Sequence, residues 1–140
     1  MRLATLGVVL FIAMLAPAKA ADAESRHLSL GEVAVVPSDA AYMTPELRAD
    51  LEAEIRSLDL RGAHKDAVLS VSLVKLETEH TRGASSADCV VSAALRSRNG
   101  VLFAMLEGHA RAQGASDHVP ESALRGAVHG ALSRVPEALR

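Results

Sequence analysis

The sequence predicts an α+β fold, a two-layer sandwich in which an antiparallel-rich sheet of about four strands carries two helices on one face. Four segments have alternating apolar residues, as half-buried strands do, and two others have apolar residues at helical spacing. These segments follow one another in the order β-α-β-β-β-α. An Asn-Gly pair separates the last two strand segments, and such a pair is the strongest short-range signal of a hairpin.

The first 20 residues are predicted to be a secretory signal peptide that is cleaved after Ala20. Arg2 gives a positive start, residues 6–15 are apolar, and residues 17–20 end in a small-x-small pattern. The apolar run is shorter than the ~20 residues that a membrane-spanning helix needs. We therefore expect residues 21–140 to form one domain, periplasmic or secreted, with no membrane span after cleavage.

Composition disfavours several partners and chemistries. The chain has 15 basic and 17 acidic residues, and loss of Arg2 and Lys19 with the signal peptide leaves 13 basic against 17 acidic. This balance does not favour nucleic acid or an anionic membrane as a partner. With one Tyr, two Phe and no Trp, the chain also lacks the aromatic residues for a base-stacking or sugar-binding surface.

The first strand and the first helix are predicted over residues 27–36 and from Thr44 onwards. The alternation of the strand changes phase at Gly31, which predicts a bulge. Thr44 is expected to cap the helix, Pro45 suits its first turn, and Gly62 is expected to end it. The apolar stripe of the helix consists of Leu47, Leu51, Ile55 and Leu58. A strand-helix-strand start also predicts a right-handed crossover with the first two strands parallel.

The sheet continues with a long strand over residues 67–80, a loop over residues 81–87 and a hairpin over residues 88–112. Asn99 and Gly100 are predicted to form a two-residue type I′ turn. Such a turn fixes the register of the hairpin.

In that register Arg96 opposes Phe103 and Ala94 opposes Met105. Cys89, the only cysteine, then points into the core, where a lone thiol behaves as a small hydrophobe. An intermolecular disulfide or a reactive thiol is the alternative.

The last helix begins near Pro120 and has a continuous apolar stripe. The stripe consists of Leu124, Ala127, Val128, Ala131, Leu132 and Val135. Ser122, Gly126 and Gly130 stand four apart along its flank. Two glycines inside a helix cost about 1 kcal/mol each relative to alanine, so this flank is expected to pack closely. Its own sheet is the expected neighbour, and a second subunit is the alternative.

The face of the sheet away from the helices is the candidate binding surface. Its predicted members are Val74, Leu76, Val90, Arg96, Phe103 and Met105. A contiguous apolar patch on an open sheet face is typical of a contact surface. The alternative is that the side chains of Arg96 and Arg98 divide the patch and leave it without a role.

No catalytic or metal-binding motif is present in the sequence. There is no Gly-x-Ser-x-Gly, no His-Glu-x-x-His and no phosphate-binding loop. We therefore expect a protein that is not an enzyme and that uses no cofactor and no metal. One alternative is a small-ligand or metal site at the end of the sheet, where His80 and His109 would meet Glu79, Asp88 and Arg111.

Three segments resemble a group of bacterial envelope proteins. They are the run from Val68 to Leu76, the turn at Arg98-Asn99-Gly100, and the terminal helix that ends in Leu132-Ser-Arg-Val135. The pattern is similar to the periplasmic domains of curli-secretion lipoproteins and of the lipoprotein activators of penicillin-binding proteins. The resemblance covers residues 67–135, and it implies a domain that binds other envelope proteins and has no catalytic residues. The chain differs in having no cysteine at the predicted cleavage site.

The sequence thus predicts an exported, non-enzymatic envelope protein. Its expected partner is another envelope protein or a second copy, bound through the uncovered face of the sheet. The alternative is a periplasmic module that binds a small ligand or a metal.

Overall fold

The computed structural model describes residues 27–140 and shows the predicted two-layer α+β fold; the predicted signal peptide lies outside these residues. One four-stranded sheet has the order β1-β2-β3-β4. The strands are β1 (Leu28–Val35), β2 (Ala67–Thr81), β3 (Ala84–Arg96) and β4 (Leu102–Gly114). A 3-10 helix (Ser38–Met43) and α1 (Thr44–Ser57) follow β1, and α2 (Val119–Leu132) and α3 (Val135–Ala138) follow β4.

The first strand pairs with the second in parallel, as the strand-helix-strand start predicts, and the other two pairings are antiparallel. The predicted bulge at Gly31 is confirmed, since the register of β1 shifts between Leu30 and Val33. A Cβ atom at Gly31 would lie 2.7 Å from Cγ1 of Val68 and 3.2 Å from Oγ of Ser70. The absence of a side chain therefore lets β1 lie close to β2 at this point.

The first helix begins and ends differently from the prediction. Thr44 is its first residue rather than its cap, and the Thr44 hydroxyl donates to the carbonyl of Ala41 over 2.8 Å. The preceding 3-10 helix leads directly into α1, so no side-chain cap forms. The helix ends at Ser57 because Leu58 is extended, with φ −70° and ψ 136°, so Gly62 is not its stop.

The loop predicted over residues 81–87 is wrong, because β3 begins at Ala84 and only a tight turn separates it from β2. Gly83 makes this turn possible with a φ of 72°. The β2–β3 register also shifts between Leu73 and Lys75, which leaves Val74 as an extra residue on β2. Side chains of β2 after Val74 therefore point to the opposite faces from those that strict alternation predicts.

The β3–β4 turn has three residues instead of the predicted two. A type I′ turn needs positive φ at both central residues, but only Gly100 has it, at 91°. The backbone N–H of Ser97 donates to the carbonyl of Val101 over 2.8 Å, and the carbonyl of Ser97 accepts from Gly100 over 2.9 Å. Such three-residue loops with a glycine at the last position are a common hairpin type.

This longer loop moves the hairpin register by one residue, and a bulge in β4 moves it back. Next to the turn, Leu102 opposes Arg96, so the predicted pairing of Arg96 with Phe103 is wrong. Beyond the shift, Ala94 opposes Met105 as predicted. Phe103 is thus an extra residue on β4, and the rest of the predicted register is confirmed.

The core lies between the sheet and the helices. All six residues of the predicted α2 stripe are buried. The fully buried leucines come from every layer: Leu47 and Leu51 in α1, Leu69, Leu73 and Leu95 in the sheet, and Leu124 and Leu132 in α2. Burial of these side chains on both sides of the interface stabilises the two-layer arrangement.

The backbone of α2 lies directly on β4. A Cβ atom built at Gly108 would overlap the carbonyl oxygen of Ala127 and lie 2.6 Å from the nitrogen of Ala131. A Cβ atom at Gly126 would lie 2.9 Å from the Cβ of Ala110. The small residues of α2 therefore pack on the domain's own sheet, as expected.

The lone cysteine also lies where the register predicts. Cys89 is a free thiol and fully buried. Burial raises the pKa of the Cys89 thiol to about 12. The thiol therefore stays protonated and out of reach, which argues against the disulfide and reactive-thiol alternatives.

Candidate functional site

The face of the sheet that the helices leave uncovered is termed the open face. Its members are identified from the strand register and from the burial of every second residue of β2, β3 and β4 on the opposite face. The open face consists of Val68, Ser70, Ser72, Val74, Lys75 and Glu77 on β2, Asp88, Val90, Ser92, Ala94 and Arg96 on β3, and Leu102, Met105, Glu107, His109 and Arg111 on β4.

A shallow depression of about 220 Å³ lies near the centre of the open face. Ser70, Ser72 and Ser92 are among its lining residues. Met105, with 60% of its surface exposed, lies at the β4 side of the depression, and Arg96 also lines it. The depression therefore offers hydroxyl groups and one flexible, exposed apolar side chain rather than a wholly apolar surface.

Four of the six predicted surface residues lie on the open face and two do not. Val74, Val90, Arg96 and Met105 lie there, with Val74 44% exposed at its bulge. Leu76 opposes the buried Cys89 and packs against the core, so its predicted place on the open face is wrong. The extra residue at position 74 is the cause, because it reverses the alternation beyond it.

The predicted place of Phe103 on the open face is also wrong because of an extra residue in a strand. As the bulge residue of β4, Phe103 is partly buried and packs against the core. The ammonium group of Lys65 lies 5.3 Å from the centroid of its ring, within the range of a cation–π contact. Phe103 therefore contributes to the packing of the domain rather than to the open face.

Leu102, Ser70 and Ser72 lie on the open face but were not among its predicted members. Leu102 is 50% exposed and takes the position opposite Arg96 that was assigned to Phe103. The two serines alternate with buried residues of β2, and this alternation was visible in the sequence.

The residues proposed as a ligand end of the sheet are divided between its two faces. On the open face, Asp88 accepts from Arg111 over 3.3 Å and lies 3.6 Å from Nε2 of His109. His80 lies on the helix side, with its Nδ1 2.8 Å from Oγ of Ser85. His80 and His109 therefore do not share a site. Within residues 27–140, no three His, Cys, Asp or Glu side chains are grouped as a metal site requires.

A second depression, of about 180 Å³, lies on the helix side beside the start of α2. Tyr42, His80 and Asp117 are among the polar residues that line it. Ligand pockets usually have volumes of roughly 300–1,000 Å³, so this depression is too small for most organic ligands. This depression therefore adds little support to the alternative of a small-ligand site.

Acidic and basic side chains face each other where α1 meets α2, a region termed the helix seam. Oε1 of Glu54 lies 2.8 Å from Nδ1 of His129. One turn away, Oδ1 of Asp50 lies 3.9 Å from Nε of Arg125. Glu46 lies one turn before Asp50 in α1, and Glu121 lies one turn before Arg125 in α2.

Asp50 is the buried member of the helix seam. Only 9% of its surface is exposed, and its Oδ2 makes no hydrogen bond within the described part of the chain. Burial raises the pKa of the Asp50 carboxyl group, and the charges of Glu46 and Glu54 raise it further, while Arg125 opposes the shift. The charged form of Asp50 is therefore destabilised in the folded protein.

We expect Asp50→Asn to raise the melting temperature by a few degrees at neutral pH. Because folding raises the pKa of Asp50, the folded chain holds this proton more tightly than the unfolded chain. The contribution of Asp50 to the free energy of unfolding is complete below its pKa in the unfolded chain, about 3.9. This contribution is lost as the pH rises through its pKa in the folded protein. Melting curves of both proteins between about pH 4 and pH 7 should show a gain that grows with pH.

The exposed Asp39 offers the matched control for this substitution. Asp39→Asn should change the melting temperature little, because the Asp39 side chain is exposed. If Asp50→Asn raised the melting temperature equally at every pH, or lowered it, the charged form of Asp50 would not be destabilised by folding.

Comparisons with known proteins give structural similarity only. No family model matches the chain, and no curated protein sequence does. A candidate lipoprotein from Caulobacter crescentus is similar in structure, with a TM-score of 0.45 and 12% identity over 76% of this chain and 86% of that one. A minor lipoprotein from Acinetobacter baumannii has a TM-score of 0.35 and 12% identity over 80% of this chain and 92% of that one. Both are named as bacterial lipoproteins, and neither as a curli-secretion protein or an activator of penicillin-binding proteins.

Residues 27–140 include no helix with the length and apolar character that crossing a membrane requires. The helices of the domain are instead amphipathic and pack on the sheet, as α1 and α2 show.

Proposed function

We propose that this chain is an exported, non-enzymatic envelope protein that binds another envelope protein through the open face of its sheet. The observation that carries the proposal is the asymmetry of the sheet: α1 and α2 bury one face, while the other face exposes Leu102, Met105 and Val74 over 44–60% of their surfaces. Large apolar side chains that share one exposed face are typical of contact surfaces.

The depression on the open face supports a protein as the partner. Its lining combines serine hydroxyls with the apolar side chain of Met105. Arg96 and Glu32 also line it and carry opposite charges. A protein segment can supply an apolar side chain for the depression together with polar groups for its edges, as interfaces with an apolar centre and a polar rim do.

Site-specific photo-crosslinking tests this function. A photoreactive residue in place of Ser72 stands in the depression, and the same residue in place of Tyr42, which is 65% exposed, stands on the helix side. In cells that export the protein, we expect Ser72 to give one discrete adduct with an envelope protein, identified by mass spectrometry. Tyr42 should not give that adduct.

Met105→Asp should reduce the yield of the Ser72 adduct about tenfold, since a charge replaces the exposed apolar side chain beside the depression. The melting temperature should stay nearly unchanged, because Met105 is 60% exposed. An adduct of equal yield from Ser72 and Tyr42, or a yield that Met105→Asp does not lower, would argue against the open face as the binding surface.

A further inference from the structure

The last strand of the sheet has one unpaired edge. β4 is the outermost strand next to β3, and no other element between residues 27 and 140 pairs with its outer side. From Ala104 to Gly114 its pairing with β3 continues without a register shift. This segment is therefore a long, regular edge whose free backbone N–H and C=O groups can accept a further strand.

The helix layer leaves this edge accessible. The backbone of α2 at Ala127 and Ala131 lies on Gly108, and the adjoining flank of α2 has two glycines, Gly130 close to the Cα of Gly108 and Gly126 close to the Cβ of Ala110. Neither glycine has a side chain that could obstruct an approaching strand. Natural edges are often protected by proline, by a bulge or by charged side chains. The segment from Ala104 to Gly114 has no proline and no register shift, and its exposed charges, Glu107 and Arg111, are of opposite sign.

The charges along β4 are complementary to those along β4 of a second copy that runs in the opposite direction. Glu107, His109 and Arg111 are consecutive exposed residues on the open-face side of the strand. If two β4 strands pair in antiparallel fashion about His109, Glu107 of each copy lies opposite Arg111 of the other. Opposite charges directly across two strands stabilise the pairing, and like charges destabilise it.

Neighbouring registers lose this complementarity. Centred on Gly108, the pairing would place Glu107 opposite His109 and Arg111 opposite an apolar residue. Centred on Ala110, it would place His109 opposite Arg111, two basic groups. Only the register centred on His109 gives both copies a Glu–Arg pair.

The environment of Arg111 agrees with this register. Its Nη1 already lies 3.3 Å from Oδ2 of Asp88 on the neighbouring strand. A guanidinium group has five N–H donors, so Arg111 can keep this bond and donate to a second carboxylate on its other side. Glu107 of the second copy would provide that carboxylate.

We infer that two copies of this chain associate by antiparallel pairing of their β4 edges about His109, forming one continuous eight-stranded sheet. This association uses the edge of the sheet rather than its open face. It is independent of the proposed function and leaves the depression on each copy uncovered.

Cysteine cross-linking of the purified exported protein tests the register. Directly opposed residues of antiparallel strands have Cα atoms about 4.5–5.5 Å apart, a distance that a disulfide bridges. Mild oxidation of His109→Cys should therefore give a covalent dimer in high yield. Glu107→Cys alone should not, because its two copies would be about 13 Å apart, but a mixture of Glu107→Cys and Arg111→Cys should cross-link. The native Cys89 is buried and does not interfere.

Charge reversal tests the same pairing without cross-linking. Glu107→Arg alone and Arg111→Glu alone should each weaken self-association about tenfold or more, as measured by sedimentation velocity, because each places like charges opposite one another. An equimolar mixture of the two variants should restore the dimer, since both pairs between positions 107 and 111 in the mixed dimer again hold opposite charges. Melting curves check that each variant is folded, in particular Arg111→Glu beside Asp88.

A protein that is monomeric at every concentration, or a dimer in which Glu107→Cys links to itself as readily as His109→Cys, would overturn this inference. Neither result would affect the Ser72 cross-linking experiment. Conversely, loss of the Ser72 adduct with an intact His109→Cys dimer would overturn the proposed function alone.

Discussion

Gly108→Ala should lower the free energy of unfolding by about 3 kcal/mol or more, which is the upper end of the cost of overpacking. The added methyl group would overlap the carbonyl oxygen of Ala127 and crowd the nitrogen of Ala131 at 2.6 Å. These are backbone atoms inside α2, so they cannot rotate away as the end of a side chain can. The helix would have to move off β4, which would loosen the core beneath it.

Urea denaturation measures this effect as a lower midpoint at an unchanged slope. Gly130→Ala is the matched control, because its methyl group would be in ordinary contact, 3.6 Å from the Cα of Gly108. Alanine at this position in α2 should raise stability by up to about 1 kcal/mol through its higher helix propensity. Equal effects of the two substitutions would show that the contact between α2 and β4 is looser than described.

The second large effect is expected at Leu139, whose side chain is completely buried near the C-terminus. Leu139→Ala should cost about 2–5 kcal/mol, as other leucine truncations in protein cores do. The same substitution at Leu102, which is 50% exposed, should cost less than about 1 kcal/mol. Chemical denaturation of both variants gives the comparison directly.

Leu139 also has a local role that hydrogen exchange can detect. Its backbone carbonyl accepts from the N–H groups of His64 at 2.7 Å and Lys65 at 3.1 Å, and so holds the segment that precedes β2. When the side chain is truncated, we expect the amides of His64 and Lys65 to exchange faster than those of β3. Unchanged protection of these two amides would mean that the side chain of Leu139 does not anchor the C-terminus.

The order of the elements could be predicted from the sequence, because periodicity shows which segments bury one face. The stripe of α2 and the direction of Cys89 also follow from spacing alone, and both are confirmed. The hairpin register was correct over most of its length even though its turn was not. Two deviations of one residue, the three-residue loop and the bulge at Phe103, cancel each other.

The composition of the open face was harder to predict. Successive side chains of a strand point to opposite faces of the sheet, so one extra residue moves every side chain beyond it to the other face. The bulges at Val74 and Phe103 have no glycine or proline to mark them, unlike the bulge at Gly31. For this reason Leu76 and Phe103 were assigned to the wrong face, while Met105, beyond the compensated shift, was assigned correctly.

The bulge at Gly31 bears on how far assembly by strand pairing could proceed. A sheet with two usable edges is able to add copies at both ends and grow into a filament. In β1 the bulge interrupts the strand after Leu30, and the exposed carboxylate of Glu32 stands at the interruption. Within residues 27–140, each copy thus has one regular edge to offer. Pairing through that edge uses the same surface on both copies, so it closes at two and has no free end from which a polymer could extend.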